Sequence, residues 1–142
     1  MSLQDEIAKK SSEIYREAYQ MSIGELINLY RDEELDIHPE FQRVFRWSDY
    51  QKTKLIESIM LNIPIPQIFV SQREDGTWDV IDGVQRLSTI FQFVGILKDE
   101  DGKDISPLVL EATDDLPSFA GMKWQGNGEL SFTKEQQLTL RI

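Results

Sequence analysis

Cysteine is absent from the chain, which excludes disulfides, thiolate metal sites and cysteine nucleophiles and agrees with a reducing compartment. Histidine occurs once, which removes most zinc sites and most histidine-based catalytic schemes. The longest apolar run is far shorter than the roughly 20 residues that span a bilayer, and no charged-then-apolar secretory signal precedes the first predicted helix. We therefore expect a cytoplasmic protein with no membrane partner.

Acidic residues outnumber basic residues, so the net charge is −10. This balance argues against a broad basic face of the kind that binds nucleic acid. The imbalance is uneven, because residues 1–40 hold four Lys or Arg against ten Asp or Glu, whereas residues 41–54 hold four against one. A local basic site on an acidic body is therefore predicted, with Arg46, Lys52 and Lys54 as candidate DNA contacts.

The apolar patterns of the 142 residues predict one α+β domain with a small, mostly antiparallel sheet and packed helices. Residues 1–21 are predicted to form an N-terminal helical arm and residues 22–142 the domain, truncated at its C-terminus inside an amphipathic helix. The predicted helices cover residues 5–20, 23–32, 49–62, 84–94 and a last stretch from residue 134; the predicted strands cover residues 35–38, 67–70, 78–81 and 105–110. Capping-box spacings open three of these helices, at Ser22, Ser48 and Thr133.

The most informative stretch is Trp78–Val94, which reads as a short strand turning abruptly into a helix at Asp82-Gly83. Asp75-Gly76 is a hairpin signal, which predicts that this strand pairs antiparallel with the strand before it. Free N–H groups at such a helix start, with the positive end of the helix dipole behind them, suit a phosphate. Polar side chains that could hold the same anion or its sugar fill the first two turns: Gln85, Arg86, Ser88 and Thr89.

A second stretch, Phe41–Trp47, interleaves two arginines and a glutamine with three aromatic residues. One interpretation is an aromatic lid on the core with solvated arginines. The functional interpretation places Arg43 on phosphate oxygens through its planar fork and lets Gln42 or Trp47 contact a base or order the loop.

Three elements occur in a recognisable order and spacing: Phe41-Gln42-Arg43-x-x-x-Trp47, then Pro64-Ile65-Pro66, then Ile81-Asp82-Gly83-Val84-Gln85-Arg86-Leu87-Ser88-Thr89. Together they resemble the N-terminal domain of GmrSD-type restriction enzymes, whose hallmark is Asp-Gly-Gln-Gln-Arg-Leu-Thr-Thr preceded by Gln-Arg-x-x-x-Trp. The resemblance covers roughly residues 22–140. More distantly the chain resembles the ParB/sulfiredoxin-like fold, although the lack of cysteine excludes sulfiredoxin chemistry.

The resemblance implies a nucleotide-binding, NTP-hydrolysing domain of a restriction or phage-defence protein, which acts on DNA through a C-terminal nuclease domain or a partner subunit. Its cofactor would be an NTP with Mg²⁺. Carried onto this chain, the catalytic residues would be Asp82, which would also hold the metal, Gln85 and Arg86. The nucleotide-binding residues would be Gln42, Arg43, Gly83, Ser88 and Thr89.

Val84 departs from the family pattern, because it stands where the family has the first Gln of its Gln-Gln pair. Ser88 stands for a more usual Thr. The loss of a polar group from the first turn favours an alternative, a non-catalytic module that binds nucleotide or DNA as a regulatory signal. A structural ion pair between Asp82 and Arg86, and a protein-interaction role, are further interpretations.

Overall fold

The computed structural model describes residues 2–19, 21–38, 47–125 and 130–142. The helices are α1 (Leu3–Glu17), α2 (Ile23–Arg31), α3 (Asp49–Met60), α4 (Val84–Val94) and α5 (Lys134–Arg141), with a 3₁₀ turn at Pro117–Phe119. The strands are β1 (Ala18–Tyr19), β2 (Leu35–Asp36), β3 (Phe69–Gln72) and β4 (Trp78–Asp82). None of the helices in these ranges has both the length and the apolar character needed to cross a bilayer.

Three helices begin at the capping boxes predicted from the sequence. The Ser22, Ser48 and Thr133 side chains each accept a hydrogen bond from the backbone N–H three residues later. The side chain at that third position reaches back to the N-cap backbone, so two otherwise orphaned donors are satisfied at each start. The starts of α2, α3 and α5 are thus fixed by local chemistry, whereas α4 begins without a side-chain cap.

The four strands form one mixed sheet in the order β1-β3-β4-β2. The predicted hairpin is confirmed, because β3 and β4 pair antiparallel around the turn at Gly76, whose φ is +95°. β1 pairs antiparallel with β3, but β2 runs parallel to β4. The α+β class is confirmed, with two antiparallel strand pairs and one parallel pair in the sheet.

The core is built around α4, which buries seven of its 11 residues. Phe91 stacks on Tyr30 with ring centroids 4.3 Å apart. Phe93 meets Trp124 and Phe132 edge-to-face at 5.7 and 4.9 Å, an arrangement that aromatic quadrupoles favour. Because both rings leave the same helix, these contacts fix α4 between α2 on one side and the C-terminal region on the other.

One predicted strand is wrong, and one predicted helix ends earlier than expected. The strand expected over residues 105–110 does not form: Leu110 exchanges backbone hydrogen bonds with Met122 and Gly121, and the Leu108 N–H donates to the carbonyl of Gln92, so no ladder is built. The helix expected over residues 5–20 ends at Glu17, because Ala18–Tyr19 pairs with β3. In both cases partners distant in sequence set the backbone.

Candidate functional site

The turn between β4 and α4 depends on Gly83. Its φ is +100°, in the left-handed region that only glycine adopts without strain. A Cβ at this position would lie 2.8 Å from Cγ1 of Ile68 and 3.1 Å from Nη2 of Arg86. Any side chain at this position would therefore force Ile68 or the Arg86 guanidinium to move. Glycine lets the backbone turn sharply and leaves the start of α4 without a side-chain cap.

Arg86 lies under this turn with 15% of its side chain exposed. Its Nη2 donates to the backbone carbonyl of Gln67 at 3.0 Å. Its Nε is buried and, within the described residues, has no hydrogen-bond partner. A buried donor without an acceptor costs roughly 1–3 kcal/mol, and more when the group is charged. The Arg86 guanidinium therefore keeps one buried N–H group that no described residue satisfies.

Two other predicted site residues precede Arg86: Asp82 is the last residue of β4, and Gln85 lies in the first turn of α4. The Asp82 carboxylate is 68% exposed and lies 4.0 Å from Nη2 of Arg86. The ion pair considered above is thus present at long range, but an exposed pair at this distance contributes little. The carbonyl of Gln67, not the carboxylate, is the close partner of the guanidinium. Asp82 therefore remains open to solvent, where a ligand or its metal could reach it.

Ser88 and Thr89, predicted to bind phosphate, are buried with 6% and 1% of the residue exposed. The Thr89 hydroxyl donates to the backbone carbonyl of Gln85 at 2.8 Å. The Ser88 hydroxyl is buried and has no hydrogen-bond partner among the described residues. Their contact with a phosphate stays a prediction that their burial does not favour.

The opposing wall predicted from Gln42 and Arg43, and the candidate DNA contact Arg46, lie outside the described residues. Trp47, the first residue after that gap, is half-buried and packs against the hydrophobic core. The assignments of Gln42, Arg43 and Arg46 therefore stay predictions.

The two other candidate DNA contacts lie on α3, and each holds an intramolecular partner. The Lys52 ammonium donates to Oε1 of Gln92 at 2.7 Å. The Lys54 ammonium donates to Oε1 of Glu57, also at 2.7 Å. Because Glu57 is buried, this hydrogen bond matters, and it holds the pKa of the Glu57 carboxyl below its usual value. Contact of either lysine with DNA stays a prediction.

Sequence reasoning did not assign Gln67 and Ile68 to the site, although both touch it. The Gln67 carbonyl holds Arg86, and the Ile68 side chain packs against Gly83. The available signal was Pro64-Ile65-Pro66, since two prolines fix an extended backbone and so determine where the following residues lie. The proline segment thus places Gln67 and Ile68 next to the start of α4.

A second cluster of charged residues surrounds Asp79, three residues before Asp82 on β4. The sequence did not reveal this cluster. Arg73 donates to both Asp36 and Asp79, and the Nε2 atom of His38 lies 2.9 Å from Oδ1 of Asp79. Arg73, and then His38, hold the pKa of the Asp79 carboxyl below its usual value. The ligand atoms of Asp36, His38 and Asp79 lie within 4.8 Å of one another, as at a metal site. Because Arg73 occupies both carboxylates, we interpret the group as a structural anchor.

Comparison with known proteins completes the description of the site. The family model described as GmrSD restriction endonuclease, N-terminal domain, matches residues 23–140, which include the Gly83 turn and its neighbours. No curated protein and no solved structure matches the chain. The match covers most of the sequence, and the expected resemblance is confirmed. The chain belongs to the family of GmrSD restriction endonuclease N-terminal domains and so to the proteins of restriction and phage defence.

Proposed function

We propose that this chain binds and hydrolyses a nucleoside triphosphate, and that it acts on DNA through an additional domain or a partner subunit. The observation that carries the proposal is the buried Nε of Arg86, a residue in the first turn of the uncapped helix α4: within the described part of the chain this atom has no acceptor. A helix start with a positive dipole end and an adjacent guanidinium is suited to a phosphate. Membership of a restriction-enzyme family provides the biological context.

Phosphoryl transfer depends mainly on positioning and on neutralising charge, so few groups are required. Arg86 would hold a phosphate oxygen, and the backbone at Gly83 would approach a second one. Gln85 would orient the attacking water. Asp82 fits a Mg²⁺ ion, because one exposed carboxylate beside a phosphate site is a donor set that this ion uses. The ion, when bound, would neutralise charge on the phosphates.

Val84 supports a second candidate function, a regulatory module that binds nucleotide or DNA without turnover. Its side chain is half-buried and packs against the core, so the first turn of α4 presents an apolar group there. One polar group that could position water is therefore missing from the turn. Binding through Arg86 and the helix start would survive this change, whereas hydrolysis would be slower or absent.

The test measures phosphate release from ATP, GTP, CTP and UTP with Mg²⁺. We expect release from at least one of them and its loss in Arg86→Ala. Micromolar binding by calorimetry without release would support the regulatory module. Neither release nor binding with any of the four nucleotides would refute the site, provided that the protein melts cooperatively.

Several broader features belong to the same proposal. We propose the ParB/sulfiredoxin-like fold, which the strand-turn-helix at Gly83 supports, and a boundary between an arm (residues 1–21) and the domain (residues 22–142). We also propose that DNA is reached through a nuclease domain or partner, because the acidic net charge of −10 is unsuited to a broad DNA interface.

A further inference from the structure

A groove of about 310 Å³ opens next to the Gly83 turn. Its lining includes mainly apolar side chains, with one amide at the edge: Met21, Ile23, Ile65, Pro66, Gln67 and Ile68. Two of these residues are the ones that touch the candidate site, since Gln67 holds Arg86 and Ile68 packs on Gly83. Gln67 and Ile68 therefore belong both to the lining of the groove and to the surroundings of the Gly83 turn.

We infer that this groove, hereafter the base groove, takes the base of the nucleotide whose phosphates lie at Gly83 and Arg86. The inference rests on the proposed function and adds to it the place where the nonphosphate end of the ligand binds. A nucleotide is a charged end joined through a sugar to a flat, largely apolar ring. The molecule offers matching surfaces side by side, a guanidinium at a helix start and an apolar groove.

The chemistry of the base groove suits a ring. Small-ligand sites are concave, mostly apolar and about 300–1,000 Å³ in volume, with a few polar groups that fix orientation. Met21, Ile23 and Ile65 are half-buried, so their exposed sides are available for contact. Pro66 and Gln67 are exposed at the edge of the base groove. The Gln67 amide carries both donors and an acceptor, which can meet the polar edge of a base.

Two further cavities in the described part of the chain are less suitable for this part of the ligand. One, of about 510 Å³, is lined by five carboxylates against three basic side chains, so it would repel a phosphate-bearing molecule. Its carboxylates belong to Glu33, Glu34, Asp36, Asp99 and Asp104. A third cavity of about 420 Å³ shares Ile23 and Ile65 with the base groove but includes neither Gln67 nor Ile68. Only the base groove, among these three, adjoins the phosphate site.

The first test needs only the unmodified protein. Calorimetry with Mg²⁺ would compare ATP, GTP, CTP and UTP with inorganic tripolyphosphate, which has the phosphates but no base. Burial of a ring in an apolar groove should make at least one nucleotide bind about tenfold or more tighter than tripolyphosphate. Equal affinities would overturn the base groove and leave the phosphate site standing. Binding of neither probe would refute the proposed function, and the inference with it.

Two substitutions test whether the base groove causes the tighter binding of nucleotide than of tripolyphosphate. Met21→Trp should fill the base groove, and Ile65→Ala should remove one of its walls. Either change should bring nucleotide affinity down to about that of tripolyphosphate, a loss of about tenfold, while tripolyphosphate binding stays unchanged.

Val109→Trp is the matched control, because Val109 is an exposed apolar residue outside the lining of the base groove. It should keep the full preference for nucleotide. Thermal melting identifies the variants that fold, and Ile65→Ala, the milder change, stands alone if Met21→Trp does not fold. An undiminished preference for nucleotide in a folded groove variant would overturn the inference.

Discussion

Two charged groups on β4 differ in how completely their charges are satisfied. At Asp79, the carboxylate meets Arg73 and His38, and Arg73 also holds Asp36. At Asp82, three residues along the strand, the carboxylate is mostly exposed, and the guanidinium of Arg86 keeps a buried Nε without a partner among the described residues. At Asp79 the charges satisfy one another, whereas at Arg86 one buried N–H group has no acceptor among the described residues.

This difference separates a structural role from a binding role. Paired charges that satisfy one another hold strands in register and gain little from a ligand. A buried cationic donor without an acceptor costs folding free energy, roughly 1–3 kcal/mol or more, and such a cost is tolerated where a ligand repays it. We therefore propose that Arg73 is a structural anchor and that Arg86 is a ligand-binding group.

The largest expected effect on stability is that of Gly83→Ala. Positive φ and a Cβ placed 2.8 Å from Ile68 should together lower the free energy of unfolding by about 2–3 kcal/mol and abolish nucleotide binding. Gly76→Ala is the matched control, because Gly76 has a φ of +95° but nothing within 4 Å of the added Cβ. It should cost only about 1–2 kcal/mol and keep binding. Urea unfolding and calorimetry measure both; equal losses in the two variants would contradict the steric role of Ile68.

Arg73→Met is expected to have the next largest effect on stability. Removal of the guanidinium leaves Asp36 and Asp79 as neighbouring carboxylates, which should lower the free energy of unfolding, though by less than Gly83→Ala does because the group is exposed. Nucleotide affinity should not change, because Arg73 does not contact the Gly83 turn. Urea unfolding and nucleotide titration provide the two readouts. A loss of nucleotide affinity in folded protein would show that the anchor and the site are coupled.

Acid should weaken the anchor in a defined direction. The pKa of Asp79 is held below its ordinary value of 3.8 in the folded chain by Arg73 and His38. The ionised carboxylate therefore contributes stability above the unfolded pKa, and this contribution is lost as pH falls through the folded pKa. Because the group is partly exposed, we expect about 1 kcal/mol or less. Urea unfolding from pH 6 down to about 2 should show a steeper fall in the wild type than in Asp79→Asn. Parallel curves would contradict this assignment.

The smallest expected change in stability belongs to Asp82→Asn. An exposed carboxylate 4.0 Å from its partner should be worth less than about 0.5 kcal/mol. Its effect should lie in binding: the gain in nucleotide affinity on adding Mg²⁺ should shrink in Asp82→Asn, as measured by calorimetry with and without the ion. A stability loss well above that figure, with unchanged Mg²⁺ dependence, would make Asp82 part of the anchor system.

Local chemistry in the sequence predicted much of this fold. The capping boxes at Ser22, Ser48 and Thr133, and the hairpin at Gly76, each depend on residues three or four apart, and all four are confirmed. The parallel pairing of β2 with β4 joins residues more than 40 apart in sequence. No local pattern encodes such a pairing, and the mixed sheet and the Asp36–Asp79 neighbourhood both follow from it.

The candidate site could be predicted only in part, because only some of its residues are close to one another in sequence. Gly83 and Arg86 lie within one turn of each other, and the sequence placed them together. The partners Gln67 and Ile68 come from the segment before β3, and Gln67 acts through its backbone carbonyl, which any residue type would supply. Helical spacing alone also did not reveal that Ser88 and Thr89 face the interior.

We propose that Arg86 binds a ligand and that Arg73 does not. The direct measurement is calorimetry of one nucleoside triphosphate with Mg²⁺ against wild type, Arg86→Ala and Arg73→Ala, each checked for cooperative melting. We expect Arg86→Ala to lose affinity by about tenfold or more and Arg73→Ala to stay within about twofold of wild type. Wild-type affinity in Arg86→Ala, or an equal loss in both variants, would contradict the claim.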